Sequence, residues 1–365
     1  MRIFVLGTRG IPEIQGGVET HCENLYPILT KMGCEVTIIR RKPYINSQNR
    51  VSEYKNIQLV DLYAPHLKSF EAIVHSLLGI FFAWRNKPDI LHIHAIGPAL
   101  VAPLARLLGL KVVLTHHGSD YQRQKWGFFA KTILKLGERF GAKFANQIIV
   151  ISNEIRKLLE NKYQRFDTNL IFNGIIPPQK SENTDFLDFL NLKPQKYIIS
   201  VGRFVQEKGF DYLIDAFSIL KTEYKLVLVG DADHETVYSQ QLKEKAQKNN
   251  VILTGFIRSE KLNQIYSNAK LFILPSFHEG LPIALLEAMS YNLDVLVSDI
   301  PANLEVNLEK NDYFETGNVE NLSQNIERKL KNVKIRNFDN VIKEKYNWEN
   351  IARQTLEVYQ KILNK

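Results

Sequence analysis

The stretch HEGLPIALLEAMS, residues 278–290, carries two carboxylates, Glu279 and Glu287, and from Leu281 to Met289 everything except Glu287 is apolar. Pro282 suits the first turn of a helix, where a missing N–H costs nothing. A helix that is apolar all round is buried on most sides. A carboxylate left there without a partner costs several kcal/mol or takes up a proton. Glu287 therefore needs something polar to meet it, from the protein or from a ligand, and Glu279 waits just before the helix. A second constellation lies in SVGRFVQEKGFDYLIDAF, where Arg203 follows a strand and a helix is expected to begin near Lys208. A lysine at a helix N-terminus opposes the macrodipole by a few tenths to about 1 kcal/mol. That placement makes sense when an anion occupies the same spot, and Arg203 and Lys208 together can neutralise a diphosphate without a metal.

Other residues offer weaker chemistry. The first strand ends in GTRGIPEIQGGVET, whose glycines do not follow the dinucleotide fingerprint Gly-x-Gly-x-x-Gly, which speaks against a nicotinamide enzyme. Gly16 and Gly17 stand before a helix expected near Val18, where bare backbone and free N–H groups can approach an anion. DILHIHAIG places His92 and His94 on one strand face, and LTHHGSD adds His116 and His117 at another strand end. Adjacent His116 and His117 diverge, and no acidic or cysteine ligand follows at motif spacing, so no metal site is expected. His92 reads as a core histidine, whereas His94 and His117, each last before a glycine-containing loop, read as site candidates. Asp120, Arg123 and Lys125 offer groups for a polar or anionic substrate, or form a solvated loop. Phe256 and Ile257, at a strand end in LTGFI, can flank a flat base or belong to the core.

These residues need a frame. RIFVLG (2–7), EVTIIR (35–40), DILHIH (89–94), KVVLTH (111–116), QIIVIS (147–152) and NLIF (169–172) read as buried strands separated by helical segments. The order restarts with KYIISVG (196–202), KLVLVG (225–230), VILTG (251–255), KLFILP (270–275) and DVLVSD (294–299). Alternation of strand and helix means parallel sheets covered on both faces. Two such runs predict two doubly wound α/β domains, with the break near IPPQKSENTDF (176–186). Ligands of such sheets bind at the C-terminal strand ends, so a cleft between the two is the expected site.

The composition fits that frame. The chain has 365 residues, 45% hydrophobic and 24% charged, long enough for two full cores. Its two cysteines, Cys22 and Cys34, form no disulfide framework, which suits a reducing cytoplasm. The start MRIFVLGTRG has no signal-peptide character. The most apolar run, residues 72–84, contains His75 and is too short to span a bilayer. It reads as a buried helix or, failing that, a membrane-surface one. The net charge of +8 is uneven: residues 1–180 hold 24 Lys+Arg against 13 Asp+Glu, a surplus of +11. No basic run interleaved with aromatics and no reading motif supports nucleic acid; an anionic membrane surface fits the basic half better.

VGRFVQEKG, PSFHEGLPIALLEAMS and the restart between the halves together resemble the retaining nucleotide-sugar glycosyltransferases of the GT-B fold, family 4, over nearly the whole chain. LGTRGIPEIQGGVET and THHGSDYQRQKWG are similar to a bacterial branch that builds cell-surface polysaccharides, often as rhamnosyltransferases. Members of that branch often depart from the two-glutamate motif, whereas both glutamates are present here. The resemblance implies an N-terminal Rossmann-like acceptor-binding domain (1–178), a C-terminal Rossmann-like nucleotide-sugar domain (179–345) and a terminal helix (346–365) crossing back onto the first. It implies that Arg203 and Lys208 bind the donor diphosphate, that Glu287 takes the ribose hydroxyls, and that Glu279 holds the donor sugar beside the backbone of Gly280 and Leu281. Gly16 and Gly17 would close over the phosphates and His117 would lie beside the anomeric carbon. His94, Asp120 and Arg123 remain candidates for the acceptor side.

The implied reaction is metal-independent transfer, with retention, from a UDP-, GDP- or dTDP-sugar to a glycan or polyprenyl-diphosphate-linked glycan. It would take place in the cytoplasm or on the inner face of the cytoplasmic membrane, in the synthesis of capsule, O-antigen or a similar polymer. Two other functions share these features: a sugar-nucleotide epimerase of the same fold, which needs no acceptor, and a non-catalytic sugar-nucleotide-binding protein.

Overall fold

The computed structural model describes every residue except Gln15, Gln48, 66–69, Asp120, 122–126, Asp233, Val333 and Lys365. The chain divides into two compact units, one of Met1–Gly174 with Lys345–Lys365 and one of Ile175–Glu344. Among the described residues the first unit holds β1 (Arg2–Leu6), β2 (Glu35–Arg41), β3 (Glu53–Tyr54), β4 (Ile57–Leu62), β5 (Ile90–His94), β6 (Val112–His116), β7 (Gln147–Val150) and β8 (Thr168–Leu170). They form one sheet in the order β3-β4-β2-β1-β5-β6-β7-β8, parallel except for the β3–β4 pair. β1, β5, β6 and β7 are buried along almost their whole length, as apolar runs between helices must be. β4 is absent from the expected set of continuous apolar runs. Its sequence IQLVDL instead sets exposed Gln58 between buried Ile57 and Leu59, a short period-2 pattern that exposed Asp61, on the same face as the two apolar residues, ends.

The last helix, Trp348–Leu363, belongs to this unit. Asn347 caps it, its side chain accepting from the N–H groups of Glu349 and Asn350. Trp348, Ile351, Ala352, Thr355, Val358, Tyr359 and Ile362 recur at three- and four-residue intervals and are buried, so one stripe of the helix is apolar. That stripe joins a core with Cys22, Leu25, Tyr26 and Leu29 of the helix Gly17–Lys31. Gly174 leaves room for it: a Cβ there would stand 2.5 Å from the Trp348 ring.

The second unit holds β9 (Tyr197–Val201), β10 (Lys225–Val229), β11 (Ile252–Leu253), β12 (Leu271–Leu274), β13 (Asp294–Ser298) and β14 (Tyr313–Phe314). Among the described residues these make a wholly parallel sheet in the order β11-β10-β9-β12-β13-β14. This is the doubly wound order, with a reversal between β9 and β12. The first sheet reverses in the same way between β1 and β5. Each unit therefore has a topological switch point of its own.

Candidate active site

In the second unit the switch point is built from the loops after β9 and β12. The helix after β9 runs Phe210–Ser218, later than expected, because residues Gln206–Lys208 form a 3-10 turn first. Gly209 joins the two at φ +64°, and a Cβ there would lie 2.3 Å from the carbonyl oxygen of Pro275. The neighbouring loop thus forces a left-handed glycine and delays the helix. Phe277 N–H donates to the Glu207 carbonyl at 2.8 Å and ties the two loops together. Lys208 consequently does not sit in the first helical turn. Its Nζ reaches across to Glu279 Oε1 at 2.6 Å, an oxygen that also accepts from Ser276 Oγ at 2.6 Å. Glu279 is buried and Lys208 nearly so, which makes this pair far less screened than a surface one. Arg203 follows β9 two residues beyond its end and is partly buried.

Glu287 lies on the helix Ile283–Ser290, with Pro282 at its N-cap. Its protein partner is Tyr266, whose hydroxyl donates to Glu287 Oε2 at 3.0 Å. Burial raises the carboxyl above the usual glutamate range, and the Tyr266 bond offsets only part of that. Tyr266 stacks on Tyr291 with ring centroids 5.0 Å apart, and Tyr291 in turn donates to Asn263 Oδ1 at 2.7 Å. The carboxylate is thus oriented by an aromatic pair. Leu281 and Gly280 are partly exposed just ahead of it. Phe256 is 54% exposed and lies under the Arg258 guanidinium, 4.7 Å from the ring centroid, while Ile257 is half-buried beside it. Phe256 is therefore not a core residue.

In the first unit the helix begins at Gly17, with Gly16 as its N-cap and no side chain capping it. A Cβ on Gly16 would collide with Glu19 Oε2 at 1.9 Å, whereas one on Gly17 would meet nothing within 4 Å. Glu19 folds back from the first turn, and its Oε1 accepts from Arg9 N–H at 2.8 Å and Thr8 Oγ1 at 3.2 Å. The glycine-rich loop after β1 is thereby fixed by a carboxylate at a helix N-terminus.

The ends of β5 and β6 hold a hydrogen-bonded histidine network. His92 bonds Thr115 Oγ1 through Nε2 at 2.7 Å and the Tyr359 hydroxyl through Nδ1 at 2.7 Å. The Tyr26 hydroxyl lies 3.0 Å from His92 Nδ1 and 2.6 Å from His94 Nε2. His94 Nδ1 reaches His117 Nε2 at 2.9 Å. His21, on the opening helix, donates from Nδ1 to Asn173 Oδ1 at 2.7 Å and packs edge-on against Trp348 and His117. Burial holds His21 down to about 4, and burial together with neighbouring imidazoles holds His92, His94 and His117 well below the ordinary histidine value. The cluster is therefore neutral near pH 7, a set of lone pairs and N–H donors rather than charges.

His116 diverges from His117, toward Glu138 at 3.3 Å. Burial alone would raise Glu138, but bonds from His116, Lys162 and Tyr163 outweigh it and hold the carboxyl near pH 2. Ser119 and Tyr121 also bond this carboxylate, which anchors the loop after β6. Asp120 and Arg123, expected on the acceptor side, and Lys125 lie outside the described residues.

The structure thus brings Lys208 and Glu279 together in one unit and His94 and His117 in the other. Sequence reasoning missed His21 and Tyr26, and the aromatic partners Tyr266 and Tyr359. His21 had a local clue, standing four residues after Gly17 on the same helix face.

Two family models cover most of the chain: Glycosyltransferase Family 4 over residues 15–177 and Glycosyl transferases group 1 over residues 183–354. The chain belongs to the family-4-type glycosyltransferases. It is 26% identical to an uncharacterized glycosyltransferase of Methanocaldococcus jannaschii, covering 99% of this chain and 98% of that protein. It is 24% identical to the amylovoran biosynthesis glycosyltransferase AmsD of Erwinia amylovora, covering 78% and 77%. The fold is similar to that of Anabaena HepE, crystallised with UDP and glucose, at a TM-score of 0.81 and 17% identity over 99% of this chain and 100% of that one. The family-4-type transferase has the GT-B fold, two Rossmann-like α/β units with parallel sheets.

Proposed function

We propose that this transferase moves a sugar, with retention, from a nucleotide-diphosphate sugar to a glycan or lipid-linked glycan of a bacterial cell-surface polysaccharide, and that it needs no metal to do so. The observation that carries the reading is the Lys208–Glu279 pair, with Arg203 nearby, at the switch point of a doubly wound sheet. Open α/β sheets bind ligands there. As the glycosidic bond breaks, negative charge grows on the departing diphosphate, and fixed cations stabilise that charge without reorganising. Arg203 and Lys208 supply them in this proposal. Glu279 holds Lys208 in place and takes the sugar hydroxyls, with the amides of Gly280 and Leu281 alongside. Glu287 accepts the ribose hydroxyls, and partly exposed Phe256 and Ile257 flank the base. Gly16 and Gly17 contribute backbone N–H groups to the phosphates, and His117 lies beside the reacting carbon. His94, Asp120 and Arg123 are proposed to meet the acceptor. A donor phosphate oxygen takes the acceptor's proton, so the sugar is delivered to the face the diphosphate leaves. UDP in HepE supports a nucleotide-diphosphate donor, and the amylovoran role of AmsD supports a polysaccharide product.

The deciding experiment follows nucleotide release from a panel of UDP-, GDP- and dTDP-sugars with lipid-linked acceptors, in the presence of a chelator. Release that needs an acceptor and survives chelation supports transfer. A new nucleotide sugar formed without acceptor would make the protein an epimerase, and tight donor binding without turnover would make it a sensor.

Membrane attachment is part of the same proposal. Among the described residues no helix is long and apolar enough to cross a membrane. The helix Glu71–Asn86 exposes Phe81 and Trp84, and the helix Phe128–Phe144 exposes Phe128 and Phe129. Exposed Arg85, Lys87, Lys135 and Arg139 accompany them. Aromatic side chains mixed with cations suit an anionic lipid surface. Sedimentation with anionic vesicles at low salt should carry the protein down, and a Phe128→Ser/Phe129→Ser variant should stay behind. Equal recovery of both proteins in the supernatant would remove the membrane from the proposal.

A further inference from the structure

Three imidazoles of the first unit, those of His21, His94 and His117, offer ring nitrogens that all lie within 4.8 Å of one another. His21 Nε2 is buried and has no hydrogen-bond partner among the described residues. Its other nitrogen donates to Asn173 Oδ1, an atom that can only accept, so the ring is the Nδ1–H tautomer and Nε2 presents a bare lone pair. A metal-binding histidine has this arrangement, with one N–H fixed on a protein oxygen and the other nitrogen turned to the ion. His94 has a similar one: Tyr26 holds its Nε2, and Nδ1 points to the centre.

We propose that His21 Nε2, His94 Nδ1 and His117 Nε2 form a binding site for a divalent transition-metal ion of the zinc type. Three imidazole nitrogens with an open fourth position suit Zn²⁺, whereas Mg²⁺ and Ca²⁺ require oxygen ligands. The ion takes the place of the proton between His94 and His117, which moves to the other nitrogen of its own ring, so that both rings bind as neutral imidazoles. Their nitrogens, now 2.9 Å apart, must open to about 3.3 Å, the separation of two ligands near 2.0 Å in a tetrahedral site. His117 is partly exposed, which leaves a way in and room for a water as fourth ligand. Neutral, buried rings keep the lone pairs available. The ion takes no part in the transfer chemistry proposed above, although His94 and His117 do. A bound ion would occupy His117 and so inhibit transfer, and that consequence alone rests on the proposed function.

The test uses the full chain, stripped of metal and titrated with Zn²⁺ against a chromophoric chelator, with no sugar donor present. The variant is His21→Asn, whose amide can keep the bond to Asn173 while Nε2 is lost. One Zn²⁺ per wild-type chain and binding weaker by roughly tenfold or more in the variant are expected. Co²⁺-loaded wild type should show the strong visible absorption of a four-coordinate site without a thiolate charge-transfer band, which excludes Cys22 and Cys34. Absence of stoichiometric binding by the wild type, as when a water rather than an ion serves His21 Nε2, overturns the proposal. Equal affinity in His21→Asn overturns it too. Should that variant fail to fold, X-ray absorption of the zinc-loaded wild type decides: three imidazole nitrogens at about 2.0 Å support the site, and a sulfur-containing or oxygen-only shell removes it. The titration contains no donor, so its result stands apart from whether the chain transfers a sugar.

Discussion

The two switch points of this protein occupy the same place in the same topology and solve opposite electrostatic problems. In the second unit, the loops after β9 and β12 hold an ion pair, Lys208 on Glu279, and fix it with Ser276. In the first unit, the ends of β5 and β6 gather imidazoles that burial keeps neutral, linked through Tyr26, Tyr359 and Thr115. A fold supplies positions, and side chains decide whether a position handles charge or excludes it. In the proposed transfer the charged point serves the departing diphosphate, and the neutral one lies beside the reacting carbon.

That contrast can be broken most severely at Lys208. Lys208→Ala should lower the rate of donor turnover by about 10²–10³-fold, as loss of one preorganised stabilising group does. Circular dichroism should show a folded variant. Wild-type-like turnover would mean that the charged point is an ordinary ion pair.

The next largest effect is on stability against pH, with opposite signs in the two units. Seven of the nine histidines lie within the first 117 residues. His75 is buried and held down to about 4 by burial and by Arg41, and His21 by burial. The unfolded chain takes these protons near pH 6.5, the native rings only near 4. Their contribution is complete above 6.5 and is lost as pH falls toward 4, at ~3 kcal/mol for His75. Glu138 adds a loss in the same direction between about pH 4.5 and 2. Glu287 runs the other way: its raised carboxyl costs stability at neutral pH, and the cost fades as pH falls through its native value to the unfolded one. Amide exchange at pH 7 and pH 5 should therefore show protection lost in β5–β7 more than in β9–β13. Equal loss would contradict the neutral cluster.

Smaller effects sharpen the comparison. Tyr359→Phe removes one bond to His92 while Tyr26 still reaches the same nitrogen, so it should cost about 1 kcal/mol in denaturant unfolding. Glu287→Gln should raise the melting temperature of the free protein slightly and weaken donor binding, the stability–function exchange expected of a strained site group. A variant that both melts earlier and binds normally would assign Glu287 to the scaffold.

Legibility followed sequence distance. Lys208, Arg203 and Glu279 sit in loops and turns, and Glu287 on a short apolar helix, where local spacing and apolarity already demand an explanation. What holds them is less local. Tyr266, on the preceding helix, lies 21 residues from Glu287, and nothing in its neighbourhood marks it. The helix start after β9 was misplaced because Gly209 answers to Pro275, a contact no window of residues 200–218 contains. The histidine network was legible only as pairs on strands. His21 and Tyr26 enter from the first helix and Tyr359 from the last, 267 residues from His92. Long-range packing chose them, and periodicity shows only that those helix faces are buried.

The most direct measurement is a crystal structure with an unhydrolysable nucleotide sugar at a concentration that saturates melting-temperature shifts. The diphosphate should contact Lys208 and Arg203, with the ribose hydroxyls on Glu287. A diphosphate bound away from the loops after β9 and β12, with Lys208 still on Glu279, would contradict the charge-stabilising role on which the proposed transfer depends.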